Sequence, residues 1–237
     1  MLHTIDSTEI FCVGLNYKKS LIELREKLFL NEIEQEDFLL LLKKKLLVKE
    51  ALIFSTCNRL EFYLVLQKHS QENLSLKILS ILTKYKQIYL EKKTETLFLQ
   101  EATYSLQADE LIKHLCYVRS GLDSQLIGET QITGQVRKSF LLSRKNSCLG
   151  PVLEKLNQIS NIATKRIRSE TAIGKKLVSL AHVACDVFSR IFHTPQEKNL
   201  LIIGAGEMAH AAARYALSKK YSSINLINRT LAKSLIL

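Results

Sequence analysis

The chain has 237 residues, 46% hydrophobic and 24% charged, a globular composition that excludes a disordered or low-complexity polymer. Its 34 Lys and Arg against 23 Asp and Glu give a net charge of +11, which points to a polyanionic partner, with a lysine-rich solvated surface as the plain alternative. No apolar run approaches the roughly 18 residues of a membrane span, and MLHTIDSTEI is not a secretory signal, so a cytoplasmic protein with no membrane partner is expected.

In chain order, IFCVGLN (10–16) reads as a strand, and 20–30 and 32–47 read as helices with apolar residues at helical spacing. Strands follow at 51–55 and 61–66, separated by a short polar turn. A helix around 71–87 and a fourth strand, TETLFLQEA (94–102), complete the order βαββαβ. That is the split-βαβ, ferredoxin-like arrangement, and it places the polar turn at one end of the sheet. From 106 to 150 the text is helical but interrupted by Gly121, Gly128 and Gly134, which predict breaks or close backbone approach. Gly150-Pro151 marks a boundary, with helices predicted at 151–169 and 175–193.

The last segment has a buried strand (200–203), a glycine loop, a helix to about 218 and a second strand (224–227). Gly204, Gly206 and Ala209 meet the G-x-G-x-x-G/A pattern between strand and helix, the opening of a dinucleotide-binding domain. Gly204, Ala205, Gly206, Glu207, Met208 and Ala209 are therefore candidate cofactor residues. The second strand ends on Asn228, Arg229 and Thr230 rather than an acid, a donor set that favours NADPH over NADH. The fold class is thus α/β: a ferredoxin-like α+β domain with added helices over 1–150, then a helical lead-in and the start of a Rossmann-type domain over 151–237. Ending at Leu237 after two strands, the chain reads as truncated within the cofactor domain, or as needing a partner to finish it.

Five cysteines, Cys12, Cys57, Cys116, Cys148 and Cys185, are odd in number, widely spaced and free of a CxxC pair. They suit a reducing compartment and oppose a disulfide framework or zinc site, and no metal is expected. Only Cys57, within STCNRLE (55–61), sits in a polar, basic turn, with Arg59 as a nearby cation to favour a thiolate. The bland reading of such a turn is small polar residues around a stray cysteine. The sharper one is a nucleophile. A cysteine nucleophile together with a nicotinamide cofactor suggests acyl transfer to the thiol, then reduction of the thioester to an aldehyde.

The stretches VGLNYKKSLIELREKL, STCNRLEFYLV, SGLDSQLIGETQITGQVRKSF, KRIRSETAIGKKLVS and IIGAGEMA…INRT resemble the glutamyl-tRNA reductase family over nearly the whole chain. The resemblance implies NADPH-dependent reduction of glutamyl-tRNA(Glu) to glutamate-1-semialdehyde, the first step of the five-carbon route to 5-aminolevulinate, porphyrins and other tetrapyrroles. It implies Cys57 as nucleophile and His114 as a second catalytic residue, by polarising the carbonyl or by proton transfer. Thr56, Asn58, Arg59, Ser124, Glu129, Thr130, Gln131 and Gln135 correspond to substrate-binding positions. Arg59 would take the glutamyl side-chain carboxylate, and charge suits Glu129 and Gln135 to the α-amino group. The family is homodimeric through a C-terminal helical region absent here, and the aminomutase that takes up the semialdehyde is a further expected partner. Two other readings stay open: a thiol-dependent aminoacyl-ester hydrolase or acyl-transferase, and a non-catalytic tRNA-binding protein.

Overall fold

The computed structural model describes residues 8–67, 73–88, 99–174, 180–230 and 232. Its first part runs β1 (Thr8–Asn16), α1 (Ile22–Leu28), α2 (Glu32–Leu46), β2 (Glu50–Thr56), β3 (Arg59–Gln67), α3 (Leu74–Tyr85) and β4 (Thr103–Gln107). The strands form one antiparallel sheet in the order β2-β3-β1-β4. This is the spatial order of the split-βαβ arrangement.

The fourth strand lies further along than the sequence suggested. Residues 94–98 of the expected strand fall outside the described residues, 99–101 are helical, and β4 begins only at Thr103. Its alternation TYSLQ is half polar, as expected of a sheet-edge strand pairing only with β1.

Elsewhere the sheet is covered on both faces, so β3 reads RLEFYLVL and is buried over all eight residues. Its period of two divides the side chains between two cores. Leu60, Phe62, Leu64 and Leu66 meet Phe38, Leu39 and Leu42 of α2 and Ile78 and Leu82 of α3. Tyr63 and Val65, with Leu52 and Phe54 of β2, face α4 (Ala108–Ser120), α5 (Gln131–Lys145) and α6 (Pro151–Glu170). Arg59 and Glu61 fall on that second face by the same alternation. Leu153 and Leu156 of α6 lie in this second core, so α6 shares the packing of the N-terminal part.

Local chemistry fixes several element ends. Asn31 and Glu34 form a reciprocal capping box at the start of α2, at 3.0 and 2.8 Å. At the start of α6, Pro151 occupies the first turn, and the buried Glu50 carboxylate of β2 accepts the N–H groups of Val152 and Leu153 at 3.0 and 2.7 Å.

The remaining elements are α7 (Leu180–Phe192), β5 (Asn199–Ile203), α8 (Glu207–Ser218) and β6 (Ser223–Ile227). Residues 175–179, where the sequence starts a helix, lie outside the described residues. β5 and β6 pair in parallel around α8, the βαβ unit that the glycine loop predicted. Ile203 and Ile227 stay 80% and 56% exposed on this two-stranded sheet.

Candidate active site

β2 and β3 pair Thr56 with Arg59, leaving Cys57 and Asn58 as a two-residue loop. Such loops ordinarily use type I′ or II′ turns, which need a positive φ. Neither residue has one. The turn is held by its surroundings instead. Thr56 Oγ1 accepts the N–H groups of Asn58 and Arg59, both at 3.2 Å. Arg25 of α1 donates Nε to the Cys57 carbonyl at 3.1 Å, and the Tyr17 N–H donates to the Asn58 carbonyl at 2.9 Å. The outcome is an exposed thiol on a fixed backbone.

Arg25 is buried and also donates to the Ser20 carbonyl. Sequence reasoning missed it, because an arginine in an ordinary helical pattern carries no sign of where its head group goes. Arg25→Ala is expected to remove the brace on the Cys57 carbonyl and to cost about 1–3 kcal/mol of stability, read as a lower urea midpoint at unchanged slope.

Cys57 opens on a cavity of about 150 Å³. That is below the roughly 300–1,000 Å³ of most small-molecule pockets, and suits one amino-acyl group rather than a nucleotide. Thr56, Asn58 and Arg59 line it from the hairpin, Ser124, Gln125 and Glu129 from the loop after α4, and Gln131, Ile132 and Gln135 from α5. Met208 of α8 lines it as well. Among the described residues, the Ser124 hydroxyl is buried without a hydrogen-bond partner, the condition of a group left free for a ligand. Thr130 is exposed just before α5 and does not line the cavity.

The loop from Gly121 to Thr130 needs its glycine. Gly121 ends α4 at φ +81°, and a Cβ there would stand 2.8 Å from the Glu129 carbonyl oxygen. Gly121→Ala is therefore expected to cost about 1–3 kcal/mol and to displace Glu129 from the cavity wall, detected as a lower melting temperature.

Arg59 is not the open cation that its position suggested. It is 1% exposed, donating Nη1 to Glu61 Oε1 at 2.8 Å and Nη2 to Asp123 Oδ2 at 3.1 Å and to the Asp123 carbonyl. Two carboxylates offset its charge, so it gives Cys57 less field than a free arginine would. What it does is tie the loop carrying Ser124 and Glu129 to the hairpin carrying Cys57. Lys18 adds a second ion pair to Asp123 from the solvent side.

His114 also departs from its expected place. It does not line the cavity, and its Nε2 lies 2.9 Å from Glu61 Oε1 and 3.5 Å from Tyr104 Oη. Tyr104 and Tyr63 donate to the two Glu61 oxygens at 2.6 and 2.7 Å. Gly14 on β1 makes room for this meeting, since a Cβ there would stand 2.8 Å from Glu61 Cγ and 3.0 Å from the Tyr104 ring. His114 thus reaches the cavity only through Glu61 and Arg59.

This network brings Cys12, Glu61 and His114 close enough to share an ion, their ligand atoms within 4.8 Å. Glu61 Oε1 already faces the Arg59 guanidinium, which stands where a cation would, and burial pushes the Cys12 thiol up, away from the thiolate a metal needs. The donor set fits a hydrogen-bond network better than a metal centre.

At the glycine loop, Gly204 has φ +110° and Gly206 precedes α8 with no side-chain cap, and a Cβ at either would enter open space. Uncapped N–H groups beneath open space fit a pyrophosphate at the helix N-terminus. Ala205 lies between the two glycines, Glu207 opens α8 and Ala209 follows in its first turn. Asn228 donates to the Thr230 carbonyl at 2.8 Å, and Arg229 is exposed beside it at the end of β6.

Residues 13–171 match the family model of the glutamyl-tRNAGlu reductase N-terminal domain, and residues 186–237 match that of shikimate/quinate 5-dehydrogenase. The chain belongs to the glutamyl-tRNA reductase family. A glutamyl-tRNA reductase of Marinomonas sp. (strain MWYL1) is 36% identical over 228 residues, covering 96% of this chain and 52% of that protein. The solved glutamyl-tRNA reductase from Methanopyrus kandleri superimposes with a TM-score of 0.60 at 24% identity, over 96% of this chain and 51% of that one. At that identity the likeness speaks for the fold. The chain spans about half the length of the relatives it matches. The match of a dehydrogenase family model to the segment that holds the glycine loop agrees with a nucleotide cofactor there. Among the described residues, no helix is long and apolar enough to cross a membrane.

Proposed function

We propose that this chain carries the glutamyl-accepting site, and the first part of the cofactor site, of an NADPH-dependent glutamyl-tRNA(Glu) reductase producing glutamate-1-semialdehyde. One observation carries the reading most: Met208 of the glycine-loop helix and the exposed Cys57 line the same small cavity. A cofactor held at that loop would abut an acyl group held on that thiol.

The Cys57 thiolate attacks the carbonyl carbon of the glutamyl ester. A carbon–sulfur bond forms, the ester carbon–oxygen bond breaks, and the tRNA leaves as its terminal ribose hydroxyl after taking up a proton. The Asn58 side chain lines the cavity where the carbonyl oxygen would lie, Ser124 offers its unpartnered hydroxyl, and Glu129 with Gln135 suits the α-ammonium group. Gln131 narrows the cavity from α5. Arg59 and His114, through Glu61, act as positioning residues. Gly204, Ala205, Gly206, Glu207, Met208 and Ala209, with Asn228, Arg229 and Thr230, would hold NADPH, which would supply a hydride for reducing the thioester, the released sulfur of Cys57 taking up a proton.

The reading includes two-fold association of the complete protein and an aminomutase as consumer of the aldehyde. It also includes a cytoplasmic setting, which suits five free cysteines. The test is a single turnover with tRNA charged with labelled glutamate, with and without NADPH. Label attached to Cys57 and released as semialdehyde by NADPH supports the whole reading. Label released as free glutamate without NADPH would favour an ester hydrolase, and a folded chain that takes no label contradicts it.

A further inference from the structure

A second cavity, of about 420 Å³, lies between α4, α5 and α6 and is lined by Arg119, Arg137 and Arg144 together with Asn157, Gln158 and Asn161. Arg119 is 4% exposed, yet it makes no ion pair among the described residues. Its Nη1 donates to the Asn157 carbonyl at 3.0 Å, to Asn157 Oδ1 at 2.8 Å and to Ser160 Oγ at 3.0 Å. Its Nη2 donates to Asn161 Oδ1 at 3.2 Å. Every one of these partners is neutral. A buried cation with only neutral partners is costly, and buried charges in proteins are ordinarily paired.

The rest of the lining adds positive charge. Arg137 is exposed and has no ion pair among the described residues, while Arg144 is paired with Glu154 at 2.8 Å. Arg119 draws the oxygens of Asn157 and Asn161 toward itself, which turns both amide NH₂ groups away from it as donors. Phe140 supplies an apolar wall, its ring 6.0 Å from the Arg119 guanidinium carbon. Three guanidiniums, surplus N–H donors and one carboxylate describe a site for an oxyanion. The volume falls within the range of a nucleotide-sized ligand rather than a bare ion.

We propose that this arginine cavity is a nucleotide subsite that holds a phosphate of the RNA strand whose charged end reaches Cys57. It rests on the proposed function for the identity of the strand. The geometry agrees, because α5 lines both cavities. Gln131 and Gln135 line one and Arg137 to Arg144 the other, so by helical rise and turn their centres lie about 12 Å apart along the axis on opposite faces of one helix, a span of a few nucleotides.

The test compares binding of glutamate-specific tRNA to the wild-type chain, Arg137→Ala, Arg137→Lys and Lys77→Ala between about 50 and 200 mM salt. Lys77 is exposed on α3, and its replacement removes the same charge elsewhere. Arg137→Ala is expected to weaken binding on the order of tenfold and to lower the salt slope by about one, more than Lys77→Ala does. Arg137→Lys should keep the slope, because it keeps the charge. If the wild-type chain is labelled at Cys57 but Arg137→Ala binds tRNA with unchanged affinity and slope, the subsite is overturned while the proposed function stands. If the wild type neither binds tRNA nor takes label, the proposed function fails first, and the RNA assignment with it. Titration with AMP separates the sources: AMP binding that Arg137→Ala abolishes while tRNA binding is unaffected would assign the cavity to a free nucleotide.

Discussion

Cys57→Ser is expected to abolish transfer of label from glutamyl-tRNA to the protein and to lower semialdehyde formation on the order of 10³-fold or more. A serine hydroxyl keeps the shape of the turn but is scarcely ionised at neutral pH and is a far weaker nucleophile than a thiolate. The nearest charged side chain of the hairpin, Arg59, is buried and already shared between Glu61 and Asp123. Thr56 Oγ1 is occupied in accepting two backbone N–H groups. The variant should fold normally, because the thiol is exposed and the turn is held by backbone groups, Thr56 and Arg25. Loss of labelling at an unchanged melting temperature is the expected pair of results. Residual labelling at another of the five cysteines would reassign the nucleophile.

The second large effect is expected at Glu61. Its carboxylate is fully buried and takes donors from Arg59, His114, Tyr104 and Tyr63. Glu61→Ala leaves the buried Arg59 with only Asp123 and empties three further hydrogen bonds, and breaking a buried pair in this way typically costs about 3–5 kcal/mol. In a chain of this size that corresponds to a fall in melting temperature of about 10 °C. The loop carrying Ser124 and Glu129, tied to the hairpin through Arg59, should loosen as well, so labelling of Cys57 is expected to slow even where the variant stays folded.

The same group sets an acid limit. Burial alone would push the Glu61 carboxyl up, but the charge of Arg59 outweighs it, helped by His114 and Tyr104, and the group is held well below its ordinary 4.5. A carboxyl depressed in the folded state contributes stability that is fully present above its unfolded value and is lost as pH falls toward the folded one. Melting temperature should therefore be steady above about pH 4.5 with respect to this group and fall below it. Glu61→Gln should start lower and fall less steeply in that acid range. A parallel acid limb in wild type and Glu61→Gln would assign the acid sensitivity to other carboxylates.

Much of this was legible in the sequence. The period-two strands, the hairpin that exposes Cys57, the helix breaks at Gly121 and Gly128 and the strand–glycine loop–helix of the last segment all follow from local rules of side-chain period and backbone freedom; the break expected at Gly134 does not occur, since α5 runs through it and a Cβ there would meet nothing within 4 Å. Those rules act over a few residues, so one chain carries them in plain view. The fourth strand was misplaced because TETLFLQEA has the composition of a strand, whereas pairing with β1 selected the more polar TYSLQ, which only the partner strand could decide.

The residue types in the STCNR turn pointed to a candidate site, and the cavity beside Cys57 collects Thr56, Asn58, Arg59, Ser124, Glu129, Gln131 and Gln135 from segments up to 79 positions apart. What the sequence determined by itself was the local set: strands, turns, the exposed thiol and the glycine loop. The tertiary structure alone decided which charges are compensated. It turned Arg59 from an open cation into a buried staple, moved His114 behind Glu61, recruited Arg25 to the hairpin and left Arg119 buried without a counter-ion among the described residues. The physical reason is range. Backbone preference is set within a few residues, but the environment of a charge depends on every group packed within several ångströms, and those groups come from distant parts of the chain.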